Sequence, residues 1–177
     1  VTMPVDLLKH LTESIDIDDK TRAEIINTHT QRIKQFENSM KSYKHIEIVT
    51  LPTADEIHKG QIKARIPYFY RHSNIMYLPE YYSAHLNQII KLLDNDDNFQ
   101  FIINDNSFPV DIHLTSKEEI GTIVSKITHP QVVFAFNQYN LANSFFIYLE
   151  EIIKKMPRCS KDKVKTKKRL KELAASI

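Results

Sequence analysis

Apolar and polar residues alternate along the chain in several distinct rhythms, and each rhythm predicts an element. Residues 4–14 put Leu7, Leu8 and Leu11 on one face, with Thr2 in a capping position and Pro4 in the first turn, which reads as a short helix. Asp18 is placed to cap a second, much longer helix that runs to about Tyr43. Within it Ile26, Ile33 and Met40 fall in one heptad register and Phe36 and Tyr43 in the other, with His29 interrupting the second row. A stripe of this kind packs either onto the protein's own sheet or against a second copy. The spacing leaves both open.

Strand rhythms follow. Residues 46–51 alternate well enough to form a strand that Pro52 ends. Residues 61–66, between Gly60 and Pro67, alternate like a half-exposed strand. After Pro79, residues 80–94 read as a helix with Tyr82, Leu86, Ile89, Ile90 and Leu93 on its inner side. A polar turn over 94–98 leads to a strand at 99–103, and 110–114 forms another short alternating strand. Residues 120–127 are rich in β-branched side chains yet follow the helix-friendly Ser116-Lys117-Glu118-Glu119; a strand is the preferred reading. Residues 132–136 are almost wholly apolar, as expected of a central strand buried on both faces. Asn140 is then placed to cap a helix to about Lys155, with Leu141, Phe145, Tyr148, Leu149 and Ile152 at core spacing. Pro157 ends it, and a last basic helix runs from about Lys161 to Ala175.

The order predicts an α/β fold, a mixed sheet of four to six strands packed by helices, with a long N-terminal helix and a basic C-terminal one. Three segments follow: a short helical 1–17, a mixed α/β body 18–156 that opens with the long connecting or dimerisation helix 18–44, and the basic helix or tail 157–177.

Composition narrows the class. The chain has 177 residues, 42% apolar and 26% charged, an ordinary globular balance with room for a substantial core. No apolar run nears the roughly 20 residues that span a bilayer, and residues 1–6 lack the basic and apolar regions of a signal peptide. No membrane role is expected. Cys159 is the sole cysteine, so no internal disulfide forms, which fits a reducing, cytoplasmic setting. Its basic neighbours suit a reactive thiol, but nothing nearby supports catalysis, and an incidental linker thiol is the simpler reading. An opening on Val1 fits a fragment, a processed end or a trimmed tag alike. The net charge of +2 conceals an asymmetry: residues 154–171 hold ten Lys or Arg against Asp162 alone, +9 locally, which leaves −7 elsewhere.

Glycine content excludes the common phosphate-binding loops. With only Gly60 and Gly121, neither a dinucleotide fingerprint nor a P-loop can be written. No serine elbow is present, and the eight histidines (10, 29, 45, 58, 72, 85, 113, 129) include no pair at i,i+4 spacing. The acidic turn 94–98 lacks the glycine and terminal glutamate of a calcium loop. No catalytic residue, metal ligand or cofactor is therefore expected, and the chain is read as a non-enzyme.

Two constellations remain as ligand candidates. Asn137 and Gln138 stand between an apolar strand and a helix start, where amide side chains and free backbone N–H groups could hold a small anionic group; the plainer reading is that they make the turn. The aromatic cluster Tyr68, Tyr70, Arg71, His72, Tyr77 and Tyr81 could line a pocket for a small acidic or planar effector, or pack as core. The tail offers Lys163, Lys165, Lys167, Lys168 and Arg169 as an alternative nucleic-acid contact, but 157–177 has no ring for stacking. A solvated amphipathic helix packing through Val164, Leu170 and Leu173 comes first.

Two stretches carry a family resemblance: Thr21-Arg22-Ala23-Glu24-Ile25-Ile26 through Gln31-Arg32-Ile33-Lys34-Gln35-Phe36 to Tyr43-Lys44-His45-Ile46-Glu47-Ile48, and Pro130-Gln131-Val132-Val133-Phe134-Ala135-Phe136-Asn137-Gln138 followed by Leu141-Ala142-Asn143-Ser144-Phe145. They resemble the C-terminal half of XRE-type helix-turn-helix transcription regulators of Gram-positive bacteria. The resemblance implies a ligand-sensing and dimerisation domain that reads DNA only through a missing N-terminal domain. It also implies a homodimer joined through Ile26, Ile33, Phe36, Met40 and Tyr43, and a small-molecule or peptide effector. The basic tail is not explained by it. The rival is a protein-interaction module, an adaptor or antitoxin-like partner.

Overall fold

The structure, a computed structural model, describes residues 4–13, 15–62, 76–104, 106, 109, 112–126 and 132–177. Among these run α1 (Val5–Glu13), α2 (Asp19–Met40), β1 (His45–Val49), α3 (Ala54–His58), α4 (Pro79–Asn95) and β2 (Phe99–Ile103). There follow β3 (Ile112–Lys117), β4 (Gly121–Lys126), β5 (Val132–Phe136), α5 (Tyr139–Lys155), α6 (Arg158–Lys161) and α7 (Lys163–Ser176). The fold is mixed α/β. The chain divides into two compact units: Val1–Asn38, Pro52–Ile90 and Leu170–Ile177 form the first, Ser39–Leu51 and Lys91–Arg169 the second.

The first unit is helical. Leu7, Leu8 and Leu11 of α1 are buried with Ile25 and Tyr77, and Ile15, Ile17, Ile62, Tyr81 and Tyr82 pack around them. Asp18 caps α2: its carboxylate accepts the Thr21 backbone N–H at 2.9 Å and the Thr21 hydroxyl at 2.6 Å. The α3 turn, which the periodicity did not reveal, starts from a reciprocal cap. Thr53 Oγ1 accepts from Glu56 N, and the Glu56 carboxylate accepts from Thr53 N at 2.7 Å. It stops at Gly60, whose φ of 62° lets Gln61 N–H reach the Glu56 carbonyl at 3.0 Å. The expected Thr2 cap and most of the expected strand 61–66 lie outside the described residues.

The second unit holds the sheet, ordered β2-β1-β3-β4-β5. β1 runs parallel to β2 and antiparallel to β3, and β3–β4 and β4–β5 are antiparallel. Glu118, Glu119 and Ile120 make the β3–β4 turn, with Glu119 at a φ of 60°, so residues that favour helix in isolation close a hairpin instead. One sheet face carries Ile46, Ile48, Ile102, Leu114 and Val124 beneath Phe146, Leu149, Ile153 and Met156. Fully burying each such side chain contributes about 1.5–3 kcal/mol. On the same face Ser116 and Thr122 are wholly buried and share a hydroxyl–hydroxyl bond of 2.6 Å, which meets their polar demand.

Three expectations need correction. β5 is not a central strand buried on both faces; it is an edge strand, exposed from Val132 to Ala135 and half-buried at Phe136. Of the expected inner residues of α5, Leu149 is buried and Phe145 packs against the core, but Leu141 and Tyr148 are exposed; the buried row is Ala142, Phe146, Leu149 and Ile153. The cap of α5 is Gln138, through its backbone, rather than Asn140, which lies inside the helix. The first two errors share a cause. An apolar run shows that side chains must leave water, not which surface will cover them.

Candidate functional site

The edge strand and the outer flank of α5 make one apolar surface in the second unit. β5 is Val-Val-Phe-Ala-Phe, with no charge, proline or bulge to blunt an unpaired edge. Its residues alternate between faces, so Phe134 lies on the same face as Phe136, whose ring sits 6.2 Å from that of Phe145 on α5. Phe145 in turn lies 6.2 Å from Tyr148. Leu141, Phe145, Tyr148 and Ile152 repeat at i, i+4, i+7 and i+11, a second apolar row flanking the buried one. On this face Phe134 is 58% exposed, Tyr148 59% and Leu141 47%; Val133, 55% exposed, lies on the opposite face of the sheet. From Val132 to Leu149 the chain has no Asp, Glu, Lys, Arg or His. Such a surface suits association.

Asn137 and Gln138 are exposed where β5 passes into α5, beside this surface. Gln138 makes no side-chain cap, and its carbonyl accepts the Ala142 N–H at 2.8 Å. Of the aromatic cluster, Tyr68, Tyr70, Arg71 and His72 lie outside the described residues. Tyr77 is buried and its hydroxyl lies 3.0 Å from His85 Nδ1; its ring meets Tyr82 edge-on at 5.3 Å. Burial pushes the Tyr82 phenol well above its ordinary range. Tyr81 is half-buried and stacks on His10 at 4.5 Å. These described rings belong to the packing of the first unit.

The expected dimer stripe on α2 is only partly outward. Met40 is 2% exposed, while Ile26, Ile33, Phe36 and, beyond the helix end, Tyr43 are half-buried. The tail lysines are partly engaged. Lys163 donates to Asp97 at 3.0 Å and to the Asp96 carbonyl, and Lys167 donates to Asp94 at 2.5 Å. The turn 94–98 thus neutralises part of the tail. Lys165, Lys168 and Arg169 are exposed. Leu170 is buried and Leu173 half-buried, as an amphipathic helix requires, but Val164 is exposed. A cleft of about 260 Å³ lies nearby, lined by Leu93, Phe99, Phe101, Ile153, Lys161 and Lys163 among others. Lys161 Nζ donates to the carbonyls of Ile153 and Lys154, so both cations there already have partners.

Among the described residues no group of His, Cys, Asp and Glu is arranged to hold a metal, and no helix is long and apolar enough to cross a membrane. Sequence reasoning named neither Phe134 nor Val133 as functional, and it placed Leu141 and Tyr148 in the core. The legible signal was the charge-free stretch itself, with two apolar rows on one helix. Compared with models of protein families, with curated proteins and with solved structures, the chain matches none.

Proposed function

We propose that this chain is a non-catalytic dimerisation and effector-response domain of a bacterial helix-turn-helix transcription regulator, working in the cytoplasm. The observation that carries the reading is the uncharged apolar surface of β5 and α5, left open on a protein 26% of whose residues are charged. In this role the domain brings two DNA-reading segments to a fixed separation, as two-fold operators require. An effector enters at the exposed Asn137 and Gln138, next to that surface, and acts by favouring one packing of the pair over another. Ion pairing of Lys163 and Lys167 with Asp97 and Asp94 argues against the tail as the main nucleic-acid contact.

The test is a fusion. A DNA-reading head that represses only as a dimer is joined ahead of Val1, and repression of its reporter is measured. The expected result is repression that depends on the chain. A soluble, folded fusion that leaves the reporter fully active removes the reading.

A further inference from the structure

We infer that two copies of this chain join edge to edge through β5, making one continuous ten-stranded sheet with the outer rows of the two α5 helices packed together. The inference rests on the dimerisation reading above and names its surface. An edge strand exposes the N–H and C=O groups of alternate residues, and another strand is their natural partner. The occupant is a second copy because the surface complements itself. Antiparallel pairing about a two-fold axis at Phe134 sets Phe134 against Phe134 of the other copy, Val133 against Ala135 and Val132 against Phe136. Every position then meets an apolar residue, and no charge from β5 or from α5 up to Leu149 is desolvated. A charged or strongly polar partner would find nothing there to answer it.

The area agrees. The exposed portions of Val132, Val133, Phe134, Leu141 and Tyr148, with the half-buried Phe136, Phe145 and Ile152, amount to on the order of 600 Å² per copy before any backbone is counted. That is the most these side chains can bury, and the paired backbone and the remaining α5 flank would have to supply the rest of the roughly 800 Å² per partner of a standard stable interface. The two-fold operation keeps both α5 helices on the same sheet face, so the Phe136–Phe145–Tyr148 ring path of one copy continues into the other. The half-buried stripe of α2 is not needed.

Sedimentation equilibrium of the chain, the Phe134→Asp variant and the Tyr148→Lys variant decides the matter. Both sites are more than half exposed, so circular dichroism of each variant should match the parent. The parent should be a dimer, and each charged variant should raise the dissociation constant on the order of 100-fold, as loss of a central aromatic anchor does. A dimeric parent with two folded variants that remain equally dimeric overturns the β5 surface and leaves the dimerisation reading standing. A parent that stays monomeric at roughly 100 μM, where even micromolar affinity would pair it, overturns both. If Phe134→Asp alone misfolds, Tyr148→Lys decides by itself.

Discussion

β1 and β5 are both five-residue strands of one sheet, and their surroundings are opposite to what their side chains suggest. β1 is His-Ile-Glu-Ile-Val, with two ionisable groups, and every residue is buried. β5 is Val-Val-Phe-Ala-Phe, with none, and four of its five residues are exposed. Position explains the difference. β1 has a strand on each side, and Ile46 and Ile48 lie under α5, while among the described residues β5 pairs with β4 alone. Burial there is costly for charge, and His45 and Glu47 lie as a pair, 3.9 Å apart, within it. β5 keeps apolar side chains at an edge where solubility favours charge. The contrast teaches that place in the sheet, and not side-chain type alone, decides which strand is buried.

The comparison breaks most visibly through a pair of truncations. Ile48→Ala should cost about 2–5 kcal/mol in denaturant unfolding, since Ile48 is 1% exposed. Phe134→Ala, measured below the concentration at which copies pair, should cost less than about 1 kcal/mol despite removing a larger side chain. Equal losses would mean that β5 is as much core as β1. Next in size is Gly121→Ala, where the added Cβ would stand 2.7 Å from the Phe136 carbonyl oxygen. Backbone must move, so a loss of about 1–3 kcal/mol is expected, with amide shifts concentrated in β5. Shifts spread evenly over β1 would show instead that the two strands respond as one body.

A smaller effect is expected at Thr122→Val, which leaves the buried Ser116 hydroxyl without its 2.6 Å partner. About 1–2 kcal/mol should be lost, and Ser116→Ala in the same chain should recover part of it. The smallest change lies outside both strands. Asp162 accepts from the backbone N–H of Lys165, from Arg158 and from the Val164 N–H, and these hold its carboxyl below the usual range. A folded-state value below the unfolded one means that the stabilisation is present above the ordinary carboxylate range and fades as pH falls through the lowered value. Nuclear magnetic resonance titration should show α7 fraying at its start only below about pH 4, with β1 and β5 amides unmoved by that step. Fraying that begins above that range would mean the cap is not formed.

Much of this architecture was legible in the residues. The rows of α1 and α4 and the bounds of β2 follow directly from period 3.6 and period 2, and Asp18 announced the start of α2. What escaped was the choice among coverings. In α5 the rows containing Leu141 and Ala142 both satisfy helical spacing, and only the sheet beneath shows that Ala142, Phe146, Leu149 and Ile153 turn inward. α3 is five residues long, too short for a rhythm, and only its Thr53–Glu56 cap marks it in the sequence. β5 pairs with β4, its neighbour in sequence, and no local pattern records whether a further strand flanks it on the other side. The apolar residues of β5 and of the outer α5 row were therefore read as buried core, although the structure leaves most of them exposed.

Amide hydrogen exchange across β5, followed as the concentration of the chain is raised, tests the central claim most directly. Exchange in a lone edge strand is fast at the alternate residues whose N–H groups point away from β4. If two copies pair through this edge, those amides between Val132 and Phe136 become protected as concentration rises, while β1 stays equally protected throughout. Outward amides of β5 that exchange at the same fast rate at every concentration, in a sample shown to contain dimers, would contradict the account.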